Sequence, residues 1–475
     1  MVDKKTKWSY CVGATGRDAA YVLVSMFVLT YIQYTMKLSV LQFSVISIAM
    51  VGCMVWDAVN DLLMSAIIES THLKAGKYRP FILAGCLMNA LVLIIMFTVR
   101  PTGWGFVIFF TVSYLLWGMT YTVNDIAYWG MLPSLSSDPK ERDMLVTLMG
   151  IFVCIGQFSV AGIVPMVIAG NAVMAFRTIA LIVAIAFIAF QTLTFFGVTE
   201  SVRKDDGEKI SLKGMFVILK RNDQLLSSGA SYILFCVGQQ LLLLLAVNFF
   251  YFEFGYSSSG DLVTVFTVMY GLGTLIAQFL YPKFSSKMTR LQILKISIIA
   301  LVVGYLGLLG IGYILPKSIV LIHVLGLVIF FFQGIMSLTY IVLINNTIEY
   351  DEYRFGERHD SIISAIRSFA SKLSGALNQG TASLILIVSG IYAVSQNISA
   401  LEIEVGSGNM TSEDALVAAD QFISGVQKWQ TLVLRLGMVL IPLCVMIIGY
   451  FIVKLKYKLD EKEYERIVSE IQKRG

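Results

Sequence analysis

The chain has 475 residues, 57% of them hydrophobic and 14% charged, with a formal net charge of +5. A mean hydropathy of +0.76 excludes an ordinary water-soluble protein and describes a polytopic membrane protein. The positive charge would suggest nucleic acid in a soluble chain, but here it segregates by loop, so no nucleic-acid partner is implied.

Apolar stretches long enough to cross about 30 Å of hydrocarbon recur along the whole chain. In the first half they fall at roughly 12–36, 41–69, 80–99, 105–133, 144–169 and 173–197. In the second half they fall at roughly 225–254, 261–282, 291–315, 317–346, 362–394 and 430–453. Alternate loops carry roughly 26 basic residues against 5 on the other side, which places both termini in the cytoplasm. The expectation is therefore an all-α protein of twelve transmembrane helices in two six-helix halves, residues 1–198 and 225–455. A cytoplasmic linker, 199–224, joins them, and a cytoplasmic tail, 456–475, follows. That layout is the major facilitator fold, in a multi-pass protein of the cell membrane, the inner membrane in a bacterium.

Span one carries Asp18 roughly 15 Å along the helix from the basic N-terminus, beside Arg17, which is either its local partner or a snorkelling residue. No small-residue cleavage site follows a short apolar region, so this span is expected to be retained. Span two carries WDAVND, residues 56–61. Two carboxylates at the centre of a lipid-embedded helix cost about 5 to 7 kcal/mol on insertion scales. Asp57 and Asp61, four residues apart, share one face with side chains about 5–6 Å from each other. Both ionised, they would repel by about 3 kcal/mol at an effective dielectric near 20. The pair should therefore share a proton or hold a hard cation, to which Asn60 or a neighbouring hydroxyl could add an oxygen. The competing reading pairs each aspartate with a basic residue and gives it only a packing role. Lys372, well inside span eleven, needs a counter-ion of its own.

Span four ends in WGMTYTVNDIAYWGMLP, which stacks Tyr121, Asp125 and Trp129 at i, i+4 and i+8. A carboxylate accepts from two adjacent sugar hydroxyls, and an indole face covers the C–H side of a pyranose. Alone, Trp129 would read as an interfacial anchor; beside an intramembrane carboxylate the ligand reading is favoured. Thr122 offers a hydroxyl toward an adjoining face. Within the linker, ISLKGMFVILKRN has the pattern of an interfacial helix. Gln239, Gln240 and Asn248 in span seven, and Gln333 and Tyr340 in span ten, either line a cavity or make interhelical hydrogen bonds. The loop from about Ser395 to Gln427 is polar, acidic and extracytoplasmic, and the tail reads as a solvated helix. The six cysteines lack a C-x-x-C pair and read as packing residues. No H-E-x-x-H and no nucleophile constellation occurs, so neither an enzyme nor a cofactor is expected.

WDAVND followed by GKYRP, then WGMTYTVND with Trp129, then INNTIEYDEYRFGER resemble the hallmark segments of the glycoside-pentoside-hexuronide:cation symporters, the melibiose permease-like branch of the major facilitator superfamily. The resemblance runs in order over nearly the whole chain. It implies symport of a sugar with Na⁺, H⁺ or Li⁺, with no other cofactor and no obligate protein partner. By position it makes Asp57 and Asp61 the cation carboxylates, with Thr122 nearby. It gives Asp18, Asp125 and Trp129 to the sugar, with Tyr121 beside them and Lys372 between the two regions. Arg142, Asp351, Arg358 and Asp360 match charged positions that help close a cytoplasmic gate. Two departures concern the cargo: Gly150 stands where the melibiose permease has a sugar-contacting arginine, and Ser337 where it has a tryptophan. Competing functions are a cation-coupled carrier of lysophospholipids or other amphiphiles, and a sugar-binding receptor that does not transport.

Overall fold

The computed structural model describes residues 2–71, 76–136, 138–200, 212–356 and 360–474. The first half is built from α1 (Lys4–Thr35), α2 (Val40–Ser70), α3 (Arg79–Thr98), α4 (Trp104–Leu135), α5 (Pro139–Ile168) and α6 (Ala172–Gly197), followed by a short linker helix α7 (Leu212–Arg221). The second half has α8 (Asp223–Phe254), α9 (Gly260–Ser285), α10 (Arg290–Gly310), α11 (Ile319–Phe355) and α12 (Asp360–Val388). It continues with α13 (Ile391–Gly406), α14 (Ser412–Ser424), α15 (Lys428–Lys456) and α16 (Glu461–Arg474). Among the described residues eleven helices are long and apolar enough to cross a membrane, and up to twelve if the bent pair α12–α13 is counted as one span.

Local chemistry sets the helix ends. Ser39 and Gln42 form a reciprocal capping box at α2, and Thr289 and Gln292 repeat it at α10. Asp138 caps α5, whose first residue, Pro139, has no N–H to lose there. Helix α11 ends at Gly356, whose φ of +73° only glycine adopts without strain. Gly390, at φ +72°, makes the corner where α12 turns by 89° into α13.

Three segments differ from expectation. Helix α1 begins at Lys4 rather than near residue 12, because the Asp3 side chain caps it and the basic turn is helical beyond the apolar span. The acidic outer loop is folded: it holds α13 and α14, with Thr411 capping α14 and Glu413 and Asp414 complementing its N-terminal dipole. The tail helix α16 is not solvated all round but packs on α11. Ile467 is fully buried, and Arg466 reaches the Tyr353 hydroxyl at 3.4 Å while pairing with Glu470 at 2.8 Å.

Two compact units result. One comprises Met1–Gly207 with Phe250–Thr264 and Leu386–Gln430; the other comprises Glu208–Phe249, Val265–Ile385 and Thr431–Gly475. In the first, α1 is the enclosed helix, packed on α5 and α6, while α4 packs on α2 and α3. The α1–α5 approach depends on Gly156, where a Cβ would overlap the backbone of Thr15. In the second, α10 lies on α11, and the linker helix docks through Ile218 against Leu225 and Ile344.

Gly156→Ala is therefore expected to destabilise the protein by about 1–3 kcal/mol, read as a lower melting temperature in detergent. Gly150→Ala on the same helix, where a Cβ meets nothing within 4 Å, should leave the melting temperature unchanged or raise it.

Candidate functional site

Helix α4 faces α2 through Thr122, which is buried. Its Oγ1 lies 2.8 Å from Asp57 Oδ1 and 3.2 Å from Asp61 Oδ1. A hydroxyl has one proton to donate, so it satisfies one of the two carboxylates at a time. The geometry thus brings two half-buried carboxylates to a single neutral oxygen. Gly118, one turn earlier on α4, faces the same carboxylate: a Cβ there would meet Asp57 Oδ1 at 3.4 Å, an ordinary contact. Asn60 is buried as well, and its Nδ2 has no hydrogen-bond partner among the described residues. Two carboxylates and a hydroxyl form a hard oxygen set, suited to a proton or a small hard cation.

On the side of α4 toward α1, Arg17 is the hub. Its side chain is only 3% exposed. Nε and Nη2 donate to Asp18 Oδ2 at 3.0 and 2.7 Å, and Nη1 lies 3.2 Å from Asp125 Oδ1. The guanidinium is 4.7 Å from the centre of the Tyr128 ring and 5.5 Å from that of Trp129. Gln157 on α5 donates to the other Asp18 oxygen at 3.0 Å. Gly156 beside it is what lets α5 approach closely enough for this contact. Tyr121 adds a ring 5.4 Å from Tyr21 and 5.7 Å from Trp117. Trp129 is 43% exposed, so part of its indole is open to a ligand. A guanidinium between two carboxylates, one of them enclosed and the other 31% exposed, orders both while leaving Asp125 oxygen surface open to further hydrogen bonds.

The structure thus gathers Asp57, Asp61 and Thr122 into one cluster, and Asp18, Asp125 and Trp129 into a second. Tyr121 stands one residue from Thr122 on the helix that joins them. Lys372 lies half-buried on α12 in the second unit. Of the expected gate residues, Arg142 is half-buried near the start of α5. Asp351 is fully buried, paired with Arg221 at 3.2 Å and hydrogen-bonded by Asn222 at 3.3 Å. Arg358 and the side chain of Asp360 lie outside the described residues. Two polar residues of the second half make interhelical hydrogen bonds. Gln333 donates to the Tyr305 hydroxyl at 3.0 Å, and Gln240 accepts from Asn378 at 3.3 Å. Sequence reasoning missed Gln157, although a lone amide inside an apolar span was a visible signal, and it left the role of Arg17 open. Ser337 is half-buried on α11.

A many-spanning helical protein with intramembrane carboxylates arranged this way belongs to the class of ion-coupled carriers. Residues 9–461 match the family described as MFS/sugar transport protein, and the chain belongs to that family. It is 25% identical to lactose permease of Lactobacillus helveticus, over 98% of this chain and 71% of that protein. It is 23% identical to the glucuronide carrier protein homolog of Escherichia coli (strain K12), over 99% of this chain and 96% of that protein. Among solved structures it resembles a bacterial homolog to the human lysosomal transporter Spinster, inward-facing and unoccupied. There the TM-score is 0.59 at 12% identity, over 98% of this chain and 97% of that one, a likeness of fold.

Arg17→Gln leaves Asp18 and Asp125 without their shared counter-ion. It is expected to cost about 3–5 kcal/mol of stability, seen as a marked drop in melting temperature. Adding Asp18→Asn should restore part of that loss, because the enclosed carboxylate is then neutral.

Proposed function

We propose that the protein is a secondary active transporter that carries a sugar, a glycoside, pentoside or hexuronide, into the cell together with one monovalent cation. The single observation that carries this reading is Thr122 set between Asp57 and Asp61 one helical turn from Asp125. The names of the similar proteins, a lactose permease and a glucuronide carrier homolog, support the sugar class.

The cation, Na⁺, H⁺ or Li⁺, would be held by Asp57 and Asp61, with Thr122 supplying a neutral oxygen. Asp125 would accept sugar hydroxyls, Trp129 would cover the apolar face of the ring, and Asp18 would act through Arg17. Tyr121 would lie beside the sugar residues, and Lys372 keeps the part the resemblance implies, a charge that serves both ligands. A cation at the Asp57/Asp61 pair reduces the negative potential at Asp125, favouring the sugar-bound arrangement; sugar then raises cation affinity by the same factor. The loaded carrier would alternate between outward-open and inward-open states with both termini in the cytoplasm, and Arg142, Asp351, Arg358 and Asp360 would belong to the inner gate. The membrane potential would drive accumulation, at about 2.3 kcal/mol per charge per 100 mV. Gly150, where a Cβ would meet open space, stands where the resemblance puts a sugar-contacting arginine, and the missing side chain argues for a cargo other than melibiose.

The test is uptake into proteoliposomes of a panel of α- and β-galactosides, pentosides and glucuronides, each with and without Na⁺ and with a pH gradient. At least one sugar is expected to be concentrated in a cation-dependent way, and Asp61→Cys should abolish the cation stimulation. Full concentrative uptake by Asp61→Cys would sink the assignment. Binding without uptake would point to a receptor, and cation-dependent movement of a lysophospholipid in place of every sugar to an amphiphile carrier.

A further inference from the structure

Helix α6 has no cap of its own: Asn171 precedes it without a side-chain hydrogen bond to its first turn. The missing acceptor comes from α13, more than two hundred residues away in sequence. Glu402, 1% exposed, accepts from Gly170 N at 2.7 Å and Ala172 N at 2.6 Å, and takes the Tyr256 hydroxyl at 2.7 Å. A carboxylate at a helix N-terminus satisfies its free N–H groups and meets the positive end of its dipole.

These contacts join the two halves at one end of the first unit. Gly170 and Ala172 belong to the first six helices, whereas Tyr256 and Glu402 belong to the second six. Among the described residues the same end carries further ties of this kind, among them Gln396 donating to Gln33 O at 3.2 Å. Gln396 accepts from Leu38 N at 2.8 Å, Tyr392 donates to Leu38 O at 3.2 Å, Ser412 donates to Gly170 O at 2.6 Å, and Thr264 donates to Gly162 O at 2.7 Å. Aromatic contacts fill the space between: Phe43 stacks on Tyr392 at 3.9 Å, and Tyr34 meets Tyr251 and Tyr256 at 5.5 and 5.9 Å. By contrast Asp420 on α14 ties the hairpin to its own half, accepting from Tyr256 N at 2.6 Å.

We propose that the α13–α14 hairpin is the moving jaw of the gate at the end of the bundle opposite the N-terminus, and that Glu402 is its clasp, a positioning residue that holds the gate shut by capping α6 across the halves. Opening exchanges three buried hydrogen bonds to a carboxylate for water at both the carboxylate and the α6 N-terminus. Most of the other ties each involve one neutral hydrogen bond or an aromatic contact, so Glu402 makes the largest single contribution to the closed state. Asp420 keeps the jaw attached to the α8–α9 turn as it moves. This inference rests on the alternating-access reading above.

The experiment places spin labels at Thr102→Cys and Glu413→Cys, both exposed, in the full-length protein with its native cysteines replaced, and measures their distance by pulsed electron paramagnetic resonance in nanodiscs. Without ligand, the background protein is expected to show mainly one short distance. Glu402→Gln, which keeps the side-chain size, should raise the ratio of long to short distances about ten-fold or more. Asp420→Asn should leave the ratio as in the background. An unchanged ratio in Glu402→Gln, or an equal rise in Asp420→Asn, overturns the clasp. Sugar uptake measured on the background protein judges the transport reading separately, because the distance ratio is read without sugar.

Discussion

One turn of α4 sets the terms for the rest of the molecule. Thr122 turns toward the carboxylates of α2, and Asp125, three residues on, turns toward Arg17 and Asp18 of α1. A helix rises about 1.5 Å per residue, so the two clusters are separated by less than a full turn along that axis. At such a distance, in a medium of low dielectric, charge placed in one cluster is felt in the other. Under the proposed reading, coupling between ion and sugar would need no long relay, because both ligands would load the same helix.

The packing around α4 follows from this constraint. Gly118 sets Asp57 directly against the helix, and Gly156 lets α5 come close enough for Gln157 to hold the second oxygen of Asp18. Arg17 is more costly to bury than any neutral residue, yet between Asp18 and Asp125, and against Tyr128 and Trp129, it fixes both carboxylates and the rings beside them. Glu402 illustrates the same rule at the far end of α1: a buried charge stays where donors converge on it.

Much of the site was legible in the chain because helical spacing alone determines who shares a face. Asp57 with Asp61, and Tyr121 with Asp125 and Trp129, needed only the period of 3.6 residues. Thr122 was named because it stood one position from Tyr121, and the fold placed it where the carboxylates need a proton donor. The role of Arg17 was not decidable, since neighbours 100° apart on a helix meet only if a third helix turns the longer side chain back, and that is a tertiary fact. The outer loop was read as polar and acidic because it carries five carboxylates and no basic residue; Ile398, Ala415 and Ala419 become core positions only once α13 packs on α1, α6 and α14. Likewise the tail looked solvated from its charge pairing, but a single buried isoleucine, Ile467, is enough to dock it.

The central claim is that the Asp57/Asp61/Thr122 cluster holds the coupling cation and shares its free energy with the sugar bound beside Asp125. Isothermal titration of the purified protein in detergent tests it most directly, with sugar affinity measured at rising cation and cation affinity at rising sugar. The account predicts that each ligand tightens the other by the same factor, and that Thr122→Ala diminishes both factors together. Independent binding of sugar and cation in the unmodified protein would contradict it.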